Sequence, residues 1–212
     1  MSTKLKIAAA VAAAVLLSAC SSPKHEPMPL VSFTPSLEVT EVWSKGLSSA
    51  EGFLVPAVYD DMVFAAGGKT LTRLNARTGE TEWSVSFNSP ITGGVGSDGY
   101  VTAVGLWDGN LEVVDAEGKV SWEKKLTTEL ASPPVVSHGL GIARTMDTRV
   151  SAFEASSGEL QWTYQRSQPA LTVRLPTRML AHDNFLLVGQ PNGHIVILDI
   201  ASGKPVFEFQ VA

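Results

Sequence analysis

The sequence predicts an all-β protein, a β-propeller of four-stranded antiparallel blades with tryptophan-docking repeats. One phrase recurs along the chain: a strand, a tight turn that ends in glycine, and a second strand that carries an aromatic residue. Its four copies are Leu71–Trp83, Leu111–Trp122, Val150–Trp162 and Ile195–Phe207. A period of about 40 residues that consists of strands and turns is typical of propeller blades. We therefore expect about four blades within residues 41–212.

Residues 1–19 predict a lipoprotein signal peptide. Lys4 and Lys6 precede an apolar run at residues 7–17, which is much shorter than the roughly 20 residues that a membrane-spanning helix needs. The segment ends in Leu17-Ser18-Ala19-Cys20, which resembles the bacterial lipobox. In that motif the cysteine is acylated and becomes the mature N-terminus, so Cys20 is the candidate lipid attachment site. A general secretory signal that happens to contain a cysteine remains the alternative.

The segment after the signal peptide predicts a tether. Residues 20–40 are rich in Ser, Pro and Glu and show no helical or strand periodicity, which favours a flexible link between the lipid and the folded body. By resemblance to lipoprotein sorting, Ser21 after the cysteine indicates the outer membrane. Loss of residues 1–19 leaves 14 basic and 21 acidic side chains, a net charge of −7. Such an acidic body disfavours nucleic acid and anionic headgroups as ligands.

The folded body begins with an isolated tryptophan strand. Val42–Gly46 resembles the last strand of a blade, and Trp43 lies 40 residues before Trp83. Propellers commonly complete one blade from both chain ends, which removes free sheet edges, so we assign Trp43 to a closing blade. The first whole repeat follows from Pro56 to Trp83.

Turn residues recur where the repeat requires hairpins. Two such turns occur in each repeat: Asp60-Asp61 and Gly67-Gly68 in the first, Asp98-Gly99 and Asp108-Gly109-Asn110 in the second, His138-Gly139 and Asp147-Thr148 in the third, and Asp183-Asn184 and Pro191-Asn192-Gly193 in the fourth. A glycine also precedes each aromatic strand, and we expect positive φ there: Gly79, Gly118, Gly158 and Gly203. The small residues Ala76, Ala116 and Ala155 leave room for a neighbouring tryptophan, so the tryptophans are assigned to packing between blades.

The other sequence motifs do not predict a nucleotide-binding, metal-binding or catalytic site. The segment Gly94-Val95-Gly96-Ser97-Asp98-Gly99 matches the Gly-x-Gly-x-x-Gly pattern, but a strand follows it where a dinucleotide site needs a helix. The histidines show no metal-ligand spacing: His25, His138, His182 and His194. With Cys20, the one cysteine of the chain, acylated, no thiol remains, so disulfides and cysteine-ligated metal sites are excluded. We predict no catalytic residue, cofactor or metal.

One segment departs from the repeat. Extra residues at 167–176 lengthen the spacing from Trp162 to Phe207 to 45 residues. Leu171, Val173 and Arg174 lie in this segment, and an apolar loop with an arginine is well suited to bind a protein partner. Alternatively, Leu171 and Val173 form the innermost strand of the next blade. The pattern alone does not decide between the two.

Together, the lipobox, the tether, the Ala-x-x-Gly-x-x-x-Trp repeats and the loop Ala170-Leu171-Thr172-Val173-Arg174 resemble the BamB family, the lipoprotein subunits of the outer-membrane β-barrel assembly machinery. The resemblance covers essentially the whole chain. It implies a non-enzymatic periplasmic scaffold of about eight blades, anchored to the outer membrane of a Gram-negative bacterium. It further implies that Leu171, Val173 and Arg174 contact the POTRA domains of BamA. The other subunits and unfolded outer-membrane proteins are further candidate partners.

Two features depart from that family pattern. The chain stops at Ala212, after the fourth repeat, and Phe207 replaces the last tryptophan. We expect a truncated or fragmentary sequence rather than a complete small propeller. Two other functions stay open: a PQQ-dependent dehydrogenase, which would need a calcium-binding acidic set and an aspartate base, and a free-standing lipoprotein that binds periplasmic peptides or glycans.

Overall fold

A computed structural model describes residues 28, 30, 36–48, 54–166 and 177–210. The chain divides into two units, Met1–Thr40 and Glu41–Ala212. In the second unit, four antiparallel sheets of four strands follow one another along the sequence, each as a simple meander. The predicted all-β propeller with four blades is therefore confirmed. Among the described residues, no helix is long and apolar enough to span a bilayer.

The first two blades lie between residues 57 and 125. Blade 1 consists of β1 (Ala57–Tyr59), β2 (Met62–Gly67), β3 (Thr70–Asn75) and β4 (Thr81–Ser86). Blade 2 consists of β5 (Ile91–Ser97), β6 (Thr102–Leu106), β7 (Asn110–Val114) and β8 (Val120–Lys125). In both blades the third and fourth strands carry a register shift, at Arg73/Leu74 and at Val113/Val114.

The next two blades repeat this plan. Blade 3 consists of β9 (Val135–Ser137), β10 (Leu140–Arg144), β11 (Val150–Glu154) and β12 (Leu160–Tyr164). Blade 4 consists of β13 (Leu180–His182), β14 (Phe185–Gly189), β15 (His194–Asp199) and β16 (Pro205–Gln210). The innermost strand of blade 4 within the described residues is Leu180–His182, and Leu171 and Val173, which the alternative assigned to this strand, lie outside the described residues.

Burial follows the position of a strand within its blade. Every residue of β6 and β10 is buried, because a middle strand is covered on both faces. Both sequences are small and apolar apart from Thr102 at the start of β6 and Arg144 at the end of β10. The outermost strand β8 is exposed except at Trp122, which is partly buried. A blade therefore contributes its inner strands to the core and its outer strand to the surface.

The hydrophobic core lies between the blades. One cluster joins Phe64 and Leu71 of blade 1 to Val95 and Leu106 of blade 2. A second joins blades 2 and 3, and a third joins blades 3 and 4. Because each sheet buries apolar side chains on both faces, no blade has a core of its own, and stability depends on nearest-neighbour packing.

The glycine motif at residues 94–99 forms a hairpin, as predicted. It spans the end of β5 and the turn before β6, and Asp98 Oδ1 accepts hydrogen bonds from the N–H groups of Tyr100 and Val101. A Cβ on Gly96 would lie 2.0 Å from the carbonyl oxygen of Pro134. The glycine is required because the connection to blade 3 passes directly against β5.

Candidate interaction surface

Each tryptophan of the repeat docks on the blade that follows it. The indole N–H donates a hydrogen bond to a backbone carbonyl at the turn between the third and fourth strands of the next blade. The pairs are Trp43 with Ala76 (2.9 Å), Trp83 with Ala116 (2.9 Å), Trp122 with Ala155 (2.8 Å) and Trp162 with Ile200 (2.8 Å). A buried indole N–H needs such an acceptor, so each bond fixes the position of one blade on its neighbour.

The ring of each tryptophan lies over the glycine of that turn. A Cβ built on the glycine would lie 2.6 Å from Trp43 at Gly79, 2.7 Å from Trp83 at Gly118, 2.8 Å from Trp122 at Gly158 and 2.4 Å from Trp162 at Gly203. All four glycines have positive φ, between 67° and 81°, as predicted. The ring contact was not predicted, since the small alanine of the turn was the residue expected to lie against the tryptophan. The constant spacing from the turn glycine to the tryptophan of its own repeat gives no sign of this contact.

Trp43 confirms the predicted docking but not the predicted strand. Residues 41–48 have no assigned secondary structure, because no strand pairs with them in the part of the chain that the structure describes. Trp43 nevertheless makes the same hydrogen bond and the same ring contact as the other three. Side-chain docking on blade 1 therefore positions this segment without a β-ladder.

Phe207 stands at the position of the tryptophan in blade 4. It pairs with Ile197 of β15, and its side chain is 59% exposed. Phe209 lies next to it, with 6.0 Å between the ring centroids. Every residue of β16 is exposed. This face of blade 4 thus presents aromatic surface among the described residues.

The loop residues proposed for partner binding, Leu171, Val173 and Arg174, lie outside the described residues, and so does Cys20. The residues that bracket the loop are described. On the blade 3 side, Arg166 forms an ion pair with Glu208 of blade 4, and His194 Nδ1 lies 2.7 Å from the same carboxylate. The hydrogen bond from Arg166 is the main cause that lowers the pKa of Glu208.

On the blade 4 side, the loop is followed by Thr177. Its hydroxyl accepts a hydrogen bond of 2.6 Å from Nη1 of Arg144, a buried side chain at the end of β10. Burial lowers the pKa of this guanidinium. Both ends of the predicted loop are therefore held by contacts between blades 3 and 4.

A cleft lies at the same end of the propeller, where the turns between second and third strands meet the connections between blades. Its volume is about 460 Å³, and its lining includes Trp107, Glu129 and Met146. Trp107 is 62% exposed and stands outside the tryptophan position of the repeat. Exposed tryptophan and methionine are enriched at protein interfaces. Trp107 was not predicted as a candidate, although its position in a turn, and not in the fourth strand of a blade, distinguishes it from the docking tryptophans.

The histidines of the described region are engaged locally. Nδ1 of His138 lies 2.8 Å from the hydroxyl of Ser137, and Nε2 of His182 lies 3.6 Å from the carboxylate of its neighbour Asp183. The described residues contain no group of three His, Cys, Asp or Glu side chains that could hold a metal ion. His25 lies outside the description.

A family model described as outer membrane protein assembly factor BamB matches residues 67–212. The chain belongs to the BamB family. BamB of Burkholderia pseudomallei (strain K96243) is 36% identical over 210 residues, which cover 96% of this chain and 55% of that protein. The crystal structure of BamB from Moraxella catarrhalis superposes with a TM-score of 0.66 and 28% identity, over 74% of this chain and 49% of that chain. The chain thus spans about half the length of these BamB relatives.

The same blade architecture occurs in a quinohemoprotein alcohol dehydrogenase, ADHIIG from Pseudomonas putida HK5. That structure superposes with a TM-score of 0.57 over 77% of this chain and 34% of that chain, at 16% identity. At this identity the likeness concerns the fold alone, because one fold supports unrelated functions. The blade fold alone therefore does not distinguish a BamB protein from such a dehydrogenase.

Proposed function

We propose that the chain acts as a non-enzymatic scaffold lipoprotein of the machinery that assembles β-barrel proteins and inserts them into the outer membrane of a Gram-negative bacterium. The observation that carries the proposal is the match of residues 67–212 to the BamB family. The protein would be anchored through acylated Cys20, face the periplasm through the tether of residues 20–40, and bind BamA through its POTRA domains and other subunits of the machinery. Unfolded outer-membrane proteins are a further candidate partner.

The arrangement of the blades supports a scaffold role. Four indole hydrogen bonds and three shared cores join consecutive elements from Trp43 to blade 4. Binding to a rigid surface costs little conformational entropy. Contacts presented at the ends of such blades keep a fixed spacing, which suits a protein whose task is to position others.

The residues at the two ends of the loop support its assignment as a contact surface. Arg166 and Thr177 are each tied across the junction of blades 3 and 4, so residues 167–176 leave from and return to a fixed base. Loops held on a rigid frame are common sites of recognition. We therefore assign Leu171, Val173 and Arg174 to BamA binding.

Co-purification with BamA tests this assignment. Arg174→Glu should abolish recovery of BamA with the tagged protein while its circular dichroism stays unchanged. Arg178→Glu is the matched control, because Arg178 is exposed in the same connection but outside the loop, and it should leave recovery intact. Equal recovery with Arg174→Glu and wild type would reject the loop as the contact.

Membrane fractionation tests the anchor. Cys20→Ser should move the protein from the outer-membrane fraction to the soluble periplasm, since several buried acyl chains supply the membrane affinity. Ser21→Ala keeps the cysteine and should not change the distribution. Dye-linked dehydrogenase activity after addition of PQQ and calcium would contradict the scaffold role itself.

A further inference from the structure

The position two residues after the tryptophan faces the next blade and determines how the space between the outer parts of two blades is filled. Between blades 1 and 2 it is filled by Val85, together with Phe87, and both pack against the shared core. Between blades 3 and 4 it is filled by Tyr164, beside the ion pair of Arg166 with Glu208. Between blades 2 and 3 this position is Lys124, and an open slot of about 330 Å³ remains.

The slot between blades 2 and 3 is basic on both walls. Lys124 and Lys125 come from β8 of blade 2, and Arg149 comes from blade 3, directly before β11. Hydroxyl groups of Thr145, Ser151 and Thr163 also line it, and Leu126, Phe153 and Leu160 add apolar surface. None of the residues that line the slot is acidic, although the chain as a whole carries a net charge of −5.

Arg149 has a donor that the described residues do not satisfy. Its Nε is buried and has no hydrogen-bond partner among them. The nearby Asp147 Oδ2 lies 3.8 Å from Nε, too far for a hydrogen bond. The Asp147 carboxylate already accepts hydrogen bonds from the hydroxyls of Thr127 and Thr145. Nε itself is closed to solvent, so an oxyanion in the slot would meet Arg149 through the exposed part of its side chain, which is 35% accessible and lines the slot.

We propose that this slot binds a phosphoryl group, either as free phosphate or on a small organic molecule, between Lys124 and Arg149. A phosphoryl group offers several strong acceptor oxygens, and the walls offer two cationic groups and the hydroxyl pair of Ser151 and Thr163, which has one donor left over. The apolar residues at the slot accommodate a short organic substituent. The bound group contacts both walls, so it also links blade 2 to blade 3.

The slot between the Trp43 segment and blade 1 provides an internal comparison. Lys45 occupies the position of Lys124, but Thr70 stands where blade 3 has Arg149, and the volume is about 240 Å³. This slot therefore has one cation where the other has cations on both walls. We expect it not to bind phosphate measurably.

Titration calorimetry on the full chain at low ionic strength tests the proposal, with inorganic phosphate, glycerol 3-phosphate and acetate as probes. We expect saturable binding of at least one phosphate compound. Arg149→Thr, which copies blade 1, and Lys124→Met should each weaken that binding about tenfold or more, as expected for the loss of a charge-assisted contact. Lys45→Met should leave it unchanged. Urea unfolding of each variant verifies that the fold is intact.

The outcomes separate the possible ligands. Tighter binding of glycerol 3-phosphate than of phosphate supports the proposal and identifies an organic phosphate as the ligand. Tighter binding of phosphate than of glycerol 3-phosphate also supports the proposal and identifies free phosphate as the ligand. Three results would overturn it: no saturable binding, equal affinity for acetate, or equal weakening by Lys45→Met. Because Lys124 and Arg149 lie outside the loop proposed for BamA binding, co-purification of BamA with these variants stays normal whichever result is obtained.

Discussion

The ring of Trp162 covers Gly203 so closely that a Cβ on the glycine would lie 2.4 Å from two of its carbon atoms. Gly203 also has a φ of 67°, which residues with a side chain rarely adopt. The glycine is therefore required for two separate reasons, backbone conformation and ring contact. Substitutions at two positions can separate these reasons.

Gly203→Ala should lower the free energy of unfolding by about 3 kcal/mol or more, because it combines a strained φ with displacement of a docked ring. Gly139→Ala is the matched control, since Gly139 has a φ of 71° but its Cβ would meet only one atom, at 3.9 Å. That variant should lose only about 1 kcal/mol. Urea unfolding measures both, and equal losses would show that the ring contact contributes nothing.

Trp122→Phe should destabilise the protein more than Trp83→Phe. Both rings contact a phenylalanine at about the same centroid distance, 6.0 Å for Phe153 and 6.1 Å for Phe64. The carbonyl of Ala116 keeps a hydrogen bond from Arg73 when Trp83 is replaced, whereas the described residues provide no second donor for the carbonyl of Ala155. The difference should be about 1 kcal/mol in chemical denaturation. The reverse order would contradict this account.

Glu112→Gln should stabilise the protein at neutral pH. Burial, followed by repulsion from Glu123 and Asp108, raises the pKa of Glu112. A raised folded-state pKa means that folding favours the protonated form, so stability decreases as the pH rises through that pKa. The free energy of unfolding of the variant should therefore exceed that of wild type at pH 7 and equal it in acid. Blades 1 and 3 carry neutral hydroxyl pairs at this place, such as Thr72 with Ser84.

Guanidine unfolding across a pH series measures this effect. Glu123→Gln removes the exposed carboxylate directly opposite Glu112. It should give part of the stabilisation that Glu112→Gln gives, since repulsion from Glu123 is the second cause of the raised pKa of Glu112. A stability difference between Glu112→Gln and wild type that does not change between acid and neutral pH would rule out ionisation as its origin.

The pair of Arg144 and Thr177 should behave as a coupled unit. Thr177→Val leaves a buried guanidinium without its hydrogen bond and should cost about 1 to 3 kcal/mol. Arg144→Met replaces the charge with an apolar chain of similar length and should cost less. In Arg144→Met the same threonine substitution should be nearly neutral, giving a coupling energy of about 1 kcal/mol or more in a double-mutant cycle. Additive losses would show that the contact is weak.

The blades could be predicted from the sequence because their signals are local. Alternating strands, two-residue turns and a glycine before the aromatic strand each lie within a few residues, and turn positions such as Asp60 and His138 adopt the positive φ that tight hairpins need. The contact of Trp83 with Gly118 could not be predicted, because it joins adjacent blades and no local pattern marks it. The docking of Trp43 on blade 1 without a paired strand among the described residues likewise depends on tertiary contacts.

The candidate site was less predictable than the fold. Leu171, Val173 and Arg174 were identified by a break in the repeat and by family resemblance, and their assignment stays a prediction. Arg144 and Arg149 gave no sequence signal, because an arginine at the edge of a strand is usually solvated. Only the packing of blade 2 against blade 3, and of blade 3 against blade 4, brings these side chains into enclosed surroundings.

In every docked pair the tryptophan comes before the carbonyl that it binds, by 33 residues in three pairs and by 38 in the fourth. As a chain is synthesised from its N-terminus, each blade therefore arrives with its docking ring already present on the preceding element. Blades can then be added one at a time, and each closure spans a short stretch of sequence, which favours rapid folding. The order of the residues gives assembly a direction, from Trp43 towards blade 4.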